Sequence, residues 1–217
     1  LNKFTYTYAN STQKFPGGKS VNVSRMLFNL GVPSVITGFI GGYPGGFVKK
    51  WFEDHQLDHK LIEIDEDSST NVKLKTPNEQ IVIKGKKPNI SEEKLEELMF
   101  YLSRIREGDI VVLGGSIPEN ATPDIYIRIA EICQANRAES VIDVLPAQLI
   151  DLLKYKPLLI KPNISDLAKM FGIDEIEKEE DIIKYAKKCQ ELGARNVIVT
   201  LSEKGSYLFS EDGEVFR

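Results

Sequence analysis

The 217 residues carry a net charge of −4, with 28 Lys and Arg against 32 Asp and Glu, and 41% of them are hydrophobic. That mild acidity gives no electrostatic reason to expect nucleic acid as a partner. With no long apolar run and no signal-peptide pattern, nothing points to a membrane or to export. The length suits one large domain or one domain with a small appendage. Cys133 and Cys189 fall inside predicted helices and read as reduced packing residues of a cytoplasmic protein rather than a disulfide. His55 and His59 have no cysteine or histidine at ligand spacing, so zinc is not expected.

In chain order, Phe4 to Phe15 alternates aromatic and polar residues in the manner of a one-sided strand. Next comes Phe15 to Gly31, FPGGKSVNVSRMLFNLG. Here two glycines open a predicted helix (about Gly18 to Leu30) whose apolar face is Val23, Met26, Leu27 and Leu30, with Gly31 as its stop. Glycine lets a ligand reach the backbone, and the first turn of a helix offers unpaired N–H groups to an anion. Lys19 adds a mobile positive charge, and Asn22 adds a group that both donates and accepts. The same stretch also reads as an ordinary strand-to-helix turn bearing a surface lysine. Gly18-Lys19-Ser20 resembles the end of a phosphate loop, but that motif needs glycine where Gln13 stands. No register of Gly38, Gly41, Gly42, Gly45 and Gly46 gives a dinucleotide fingerprint either.

Ser34 to Phe39 is a predicted strand, Gly41 to Gly46 a turn, Phe47 to His55 a helix and Lys60 to Ile64 a strand. Asn71–Lys75 and Gln80–Lys84 then form a hairpin with charges on alternate positions and one wet face. Ser91 caps a helix to about Ile105, with Glu92 and Glu93 favouring its dipole. Strand 109–113, helix 123–135, strand 140–144, helix 147–154, strand 157–161, helices near 164–171 and 179–192, and strand 196–200 complete the order. Apolar strands alternating with amphipathic helices predict an α/β fold around a parallel sheet covered on both faces.

Ligands of such sheets bind beyond the carboxyl ends of the strands. That singles out Gly114-Gly115-Ser116, Asp143, Lys161-Pro162-Asn163 and Thr200-Leu201-Ser202. Asn163 to Asp166 serves equally as a helix N-cap cluster, and Ser116 as the close of a turn. Asp143 reads as a cap for the helix after it, ahead of any ligand role. The run Lys84-Gly85-Lys86-Lys87 reads as a solvated hairpin end rather than a phosphate contact.

Six segments in order carry a resemblance to the ribokinase-like (PfkB) carbohydrate kinases. They are Pro16-Gly17-Gly18-Lys19 with Asn22, Gly38-Phe39-Ile40-Gly41-Gly42, Asn71-Val72-Lys73-Leu74, Gly115-Ser116-Ile117-Pro118, Ile160-Lys161-Pro162-Asn163 with Asp166, and Val199 to Gly205. The resemblance implies a three-layer α/β/α sandwich with a mostly parallel central sheet, its core at residues 17–66 and 91–217. A small β lid is implied at 1–16 and 67–90. It further implies that Gly17, Gly18, Asn22, Asn71 and Ser116 contact the sugar, and that Lys19 takes the phosphate already on it. Lys161, Asn163, Thr200, Ser202 and Gly205 would border ATP, and Asp166 would reach Mg²⁺ through water. Phosphorylation of a sugar phosphate is the implied activity, with fructose 1-phosphate as acceptor. Tagatose 6-phosphate is the alternative acceptor, and a non-catalytic sugar-phosphate-binding protein the alternative role. A homodimer through the lid is implied as well.

Departures from the family pattern are as specific. Its D-T-x-G-A-G-D segment, with the aspartate base, does not occur in these residues, nor does its L-N-P-x-x-D strand. An interior piece, or the ordered part of a longer protein, is therefore expected. Ser69 stands where the family's lid arginine is usual, Asp166 replaces Glu, and Ser202 replaces Gly. Val144, Leu145 and Pro146 replace the serine and glycine after Asp143.

Overall fold

A computed structural model describes residues 8–76, 78–115, 117–122 and 124–217. Its elements are α1 (Lys19–Asn29), β1 (Ile36–Gly41), α2 (Gly42–Asp54), β2 (His59–Ile64), β3 (Val72–Lys75), β4 (Gln80–Ile83) and α3 (Glu92–Leu102). After these come β5 (Ile110–Gly114), α4 (Asp124–Ala135), β6 (Glu139–Asp143), α5 (Pro146–Leu152), β7 (Leu159–Ile160) and α6 (Ile164–Met170). The last elements are α7 (Glu179–Glu191), β8 (Asn196–Thr200), β9 (Ser206–Phe209) and β10 (Val215–Phe216).

The main sheet runs β10-β9-β8-β7-β6-β5. Strands β5 to β8 are parallel, joined by helical crossovers, and β9 and β10 add antiparallel at the β8 edge. The link across residues 201–205 is too short for a crossover, so β9 must return antiparallel. A second parallel pair, β1–β2, has its own hydrogen bonds, and so does the β3–β4 hairpin. The single sheet expected from the sequence is thus divided among separately bonded pieces. One core nonetheless joins the two parallel pieces: Ile62 of β2 packs in the same buried cluster as Ile142, Ile160, Leu167 and Val197. Those four are fully inaccessible, and each contributes roughly 1.5–3 kcal/mol of burial. A smaller cluster of Val21, Ile36, Phe52 and Leu57 seats α1 and α2 on β1.

Three local expectations are corrected. Residues 8–15 form no strand and are exposed, while Phe4 to Thr7 lie outside the described residues. The segment Gly41 to Gly46 is not a turn; from Gly42 onward it is the first part of α2. Its glycines disfavour a helix intrinsically, but Pro44 is tolerated in a first turn. Gly45 also packs so closely on Ile40 that a Cβ there would lie 3.2 Å from the strand. On α1 the buried residues are Val21 and Ser24, with Val23 and Leu27 half-buried, while Met26 and Leu30 face solvent. The helix packs through its N-terminal half onto the ends of β5 and β1, which sets its buried stripe. The Ser34 hydroxyl donates to that of Ser24 at 3.0 Å.

Ser91 caps α3 as expected, its hydroxyl accepting from the Lys94 N–H. Cys133 and Cys189 are buried free thiols, which burial pushes up to about 11 and about 12 respectively. Among the described residues no helix is long and apolar enough to cross a membrane.

Candidate active site at the carboxyl rim of the sheet

The rim is assembled from β5 outward. Strand β5 ends at Gly114, and the first turn of α1 sits directly on it. The Ser20 hydroxyl donates to the Gly114 carbonyl at 3.0 Å. A Cβ on Gly114 would lie 3.1 Å from the Lys19 Cβ and 3.2 Å from the Ser20 hydroxyl, so glycine is what permits the approach. Gly18, at the N-cap of α1, has φ 118°, a conformation that side chains rarely adopt. A Cβ on Gly17 would meet nothing within 4 Å, so packing does not require that glycine; its outer side is open.

Asp143 ends β6 in register with Gly114. The Lys19 ammonium donates to its Oδ1 at 2.7 Å and to its backbone carbonyl at 3.0 Å. Lys161, just past β7, places its ammonium 3.2 Å from the other carboxylate oxygen. One carboxylate therefore joins two lysines from distant parts of the sequence. The lysine side chains are 49% and 44% exposed and that of Asp143 only 21%. The cluster carries one excess positive charge, presented outward.

Farther along the rim, Asn163 forms a parallel bridge with Thr200, and the Thr200 N–H donates to the Pro162 carbonyl at 3.1 Å. Asn163 caps α6: its Oδ1 accepts from the Asp166 N–H at 2.7 Å, and its Nδ2 donates to Asp166 Oδ2 at 2.7 Å. The turn after β8 is closed by the Leu201 N–H donating to the Gly205 carbonyl at 2.8 Å. Within it Ser202 (φ 56°) and Gly205 (φ 91°) are both left-handed. A Cβ on Gly205 would meet nothing within 4 Å.

Lys19 and Lys161 thus meet at Asp143, and Asn163, Asp166, Thr200, Ser202 and Gly205 follow along the same edge. Asn22 lies one turn into α1 and is exposed, its backbone N–H bonded to the Gly18 carbonyl at 3.2 Å. Asn71 is not tied to the rim. It stands at the base of the hairpin, where its Oδ1 accepts from the Gly85 N–H at 3.2 Å. Ser69 donates to the Gly85 carbonyl beside it at 3.1 Å. Ser116 lies outside the described residues.

The expected capping role of Asp143 is overturned. Helix α5 begins after Leu145 without any side-chain cap, Pro146 opening its first turn, and the Asp143 carboxylate is engaged by the two lysines instead. Of the two groups that seat α1 on β5, Gly114 is among the strand-end residues the sequence singles out, and Ser20 is not. The signal for Asp143 lies in the sequence: it is the one acid among the residues singled out after the strands.

Residues 3–217 match the pfkB family of carbohydrate kinases. The chain belongs to that family. It is 39% identical over 203 residues to the 1-phosphofructokinase of Bacillus subtilis, covering 94% of this chain and 66% of that protein. It is 33% identical over 192 residues to the D-tagatose-1-phosphate kinase of Bacillus licheniformis, covering 88% of this chain and 62% of the relative. A Staphylococcus aureus crystal structure superposes with a TM-score of 0.81 at 35% identity, over 97% of this chain and 69% of that one. The pfkB-family chain therefore spans about two thirds of the length of the curated relatives it matches. Its fold is the ribokinase-like α/β sandwich with a mostly parallel central sheet.

Proposed function

We propose that the complete protein transfers the γ-phosphoryl group of ATP to the free primary hydroxyl of a ketose 1-phosphate, with fructose 1-phosphate as the first candidate. The new bond joins phosphorus to the sugar oxygen, the bond to the ADP oxygen breaks, and the hydroxyl proton passes to a base. By family pattern that base is the aspartate of G-A-G-D, a segment these residues do not include. The observation that carries the reading is the shared carboxylate, which brings Lys19 of the glycine-opened helix and Lys161 of the K-P-N segment to one point. Phosphoryl transfer depends on positioning and on neutralising charge, and two neighbouring ammonium groups suit an acceptor phosphate and a donor phosphate.

In this reading Gly17, Gly18 and Asn22 hold sugar hydroxyls and Lys19 the 1-phosphate. Lys161, Asn163, Thr200, Ser202 and Gly205 border the nucleotide, the open backbone at Gly205 leaving room for it. Asn71 and Ser116 are kept as sugar contacts on the family pattern, Asn71 standing at the base of the hairpin. Asp166 fits Mg²⁺ as a single contact through water, since this ion commonly takes one or two carboxylates together with substrate phosphates. Bound there, the ion would neutralise charge on the transferring phosphates.

Tagatose 1-phosphate is the second acceptor to test, because a relative bears that name and the phosphate sits on the same carbon. It takes the place of tagatose 6-phosphate as the alternative. The β3–β4 hairpin is assigned as part of a lid (residues 1–16 and 67–90) over a core of 17–66 and 91–217. Val72, Leu74, Val82 and Ile83 on it are exposed, which supports a homodimer through the lid. The buried free thiols suit a cytoplasmic location.

A coupled ADP-release assay on the full-length protein with fructose 1-phosphate, tagatose 1-phosphate and tagatose 6-phosphate tests the reading. Turnover fastest with fructose 1-phosphate is expected. Binding without turnover of any of the three would replace the kinase by a sugar-phosphate-binding protein.

A further inference from the structure

We propose that Asp143 is the positioning residue of the rim: its carboxylate binds Lys19 and Lys161 into one unit, so that it governs both ligands without touching either. The inference rests on the reading of this site as a seat for two phosphate-bearing ligands, and deepens it.

Three observations carry it. First, each carboxylate oxygen has its own ammonium partner, at 2.7 and 3.2 Å, and Lys19 takes a second bond, to the Asp143 carbonyl at 3.0 Å. The 2.7 Å bond from Lys19 has the length of a strong charge-assisted hydrogen bond, and Lys161 completes the cluster as an ion pair. Second, the side chain has no structural duty that would account for it. Helix α5 starts without a side-chain cap, and the pairing of β6 with β5 and β7 is carried by backbone groups. Third, Asp143 is the most buried member of the three, while both lysines keep nearly half of their surface in solvent. The carboxylate sits behind, and the ammonium groups face outward.

Two lysines converging on one point repel each other, and their long stems have much rotamer freedom to lose. Without the carboxylate between them they swing apart into water. With it, their spacing is set before any phosphate arrives, so that less ordering remains to be done on binding. Both lysines lean on the same group, so loss of that group reaches both ligands at once.

The test is Asp143→Asn, read first without any substrate. Acylation of individual lysines by an N-hydroxysuccinimide ester of acetate, followed by mass spectrometry, reports how free each ammonium is. Lys19 and Lys161 are expected to react about fivefold faster in the variant, as expected when a charge-assisted contact is lost. Lys73 and Lys75 on the exposed hairpin, as internal references, are expected to be unchanged. Asp143→Glu, which keeps the charge, should return both rates toward the starting values. Unchanged rates at either rim lysine overturn the proposal.

In steady state, Asp143→Asn is expected to raise KM about tenfold for the sugar phosphate and for ATP alike, a typical coupling for residues in one network. Added to Lys19→Met, it should raise the sugar-phosphate KM no further, because its route to that ligand is already gone. Effects that multiply would overturn the proposal. The two readings fail separately: absence of turnover retracts the kinase and leaves the acylation result standing. Normal turnover with unchanged acylation retracts the positioning role alone.

Discussion

Strand β6 carries an acid at each end, and the two ends are built as opposites. At its start, Glu139 meets Arg195 at 2.7 Å, and Arg195 also grips Glu211 with two nitrogens at 2.7 and 3.1 Å. At its finish, Asp143 meets Lys19 and Lys161. The first cluster is one cation between two carboxylates, the second one carboxylate between two cations. Arg195 is planar and fork-shaped, so its bonds hold fixed directions and tie β6 and β8 to the β9–β10 turn. The Asn196 side chain secures the same turn by accepting from the Glu211 N–H at 3.0 Å. Lysine ends in a compact charge with three donors, so an ammonium held by Asp143 still has donors left to offer an incoming anion. One end of the strand therefore ties elements to one another, and the other holds two exposed positive charges toward solvent.

The sharpest break of that contrast is Lys19→Ala. A charge-assisted contact to the substrate phosphate is lost, so KM for the phosphorylated sugar is expected to rise about 50-fold with a smaller change in kcat. Initial-rate kinetics check this, and an unchanged KM would remove Lys19 from the phosphate site. Gly114→Val is expected to come next. Its Cβ meets Lys19 and Ser20 at 3.1 and 3.2 Å, and overpacking of this kind costs roughly 1–3 kcal/mol. Urea unfolding should show the loss, and phosphate binding should weaken with it as α1 is pushed off β5.

Arg195→Leu tests the end that ties elements together. It should lower Tm by about 2–4 °C, as expected when roughly 1 kcal/mol is lost in a domain of this size, and leave both KM values unchanged. A shift in ligand affinity would show that the two ends are not separate. The smallest effect is in acid. Hydrogen bonding from Arg195 holds the Glu211 carboxyl below its ordinary value of 4.5. A depressed carboxyl contributes stability that is present above its ordinary value and lost as the pH falls through its folded value. Melting curves from pH 7 down to 3 should therefore converge for the parent and Arg195→Leu below about 4.5. A gap that stays constant across that range would show that Glu211 does not titrate through this pair.

Most of the element order was legible in the residues. The capped helix after Ser91, the apolar strands at 109–113 and 196–200, and the helix over 124–135 each follow from a local rule of periodicity or capping. The Gly41–Gly46 segment misled because four glycines weigh against a helix locally, whereas the contact of Gly45 with Ile40 is made across space. The face of α1 misled for a related reason: amphipathic spacing proposes a stripe, but the neighbour that arrives decides which stripe is buried. The hairpin was read correctly as a pair of strands. Its apolar residues stand open as an exposed strand pair implies, with Val72 at 46% and Ile83 at 55% exposure.

By itself the sequence determined the α/β order, the family and the set of polar residues that follow the strands, because propensity, spacing and motif all act over a few neighbouring positions. The tertiary structure alone decided that Lys19 and Lys161 share Asp143 and that Gly114 carries the start of α1. These are contacts between segments far apart along the chain, and only the stacking of parallel strands brings their ends to one edge.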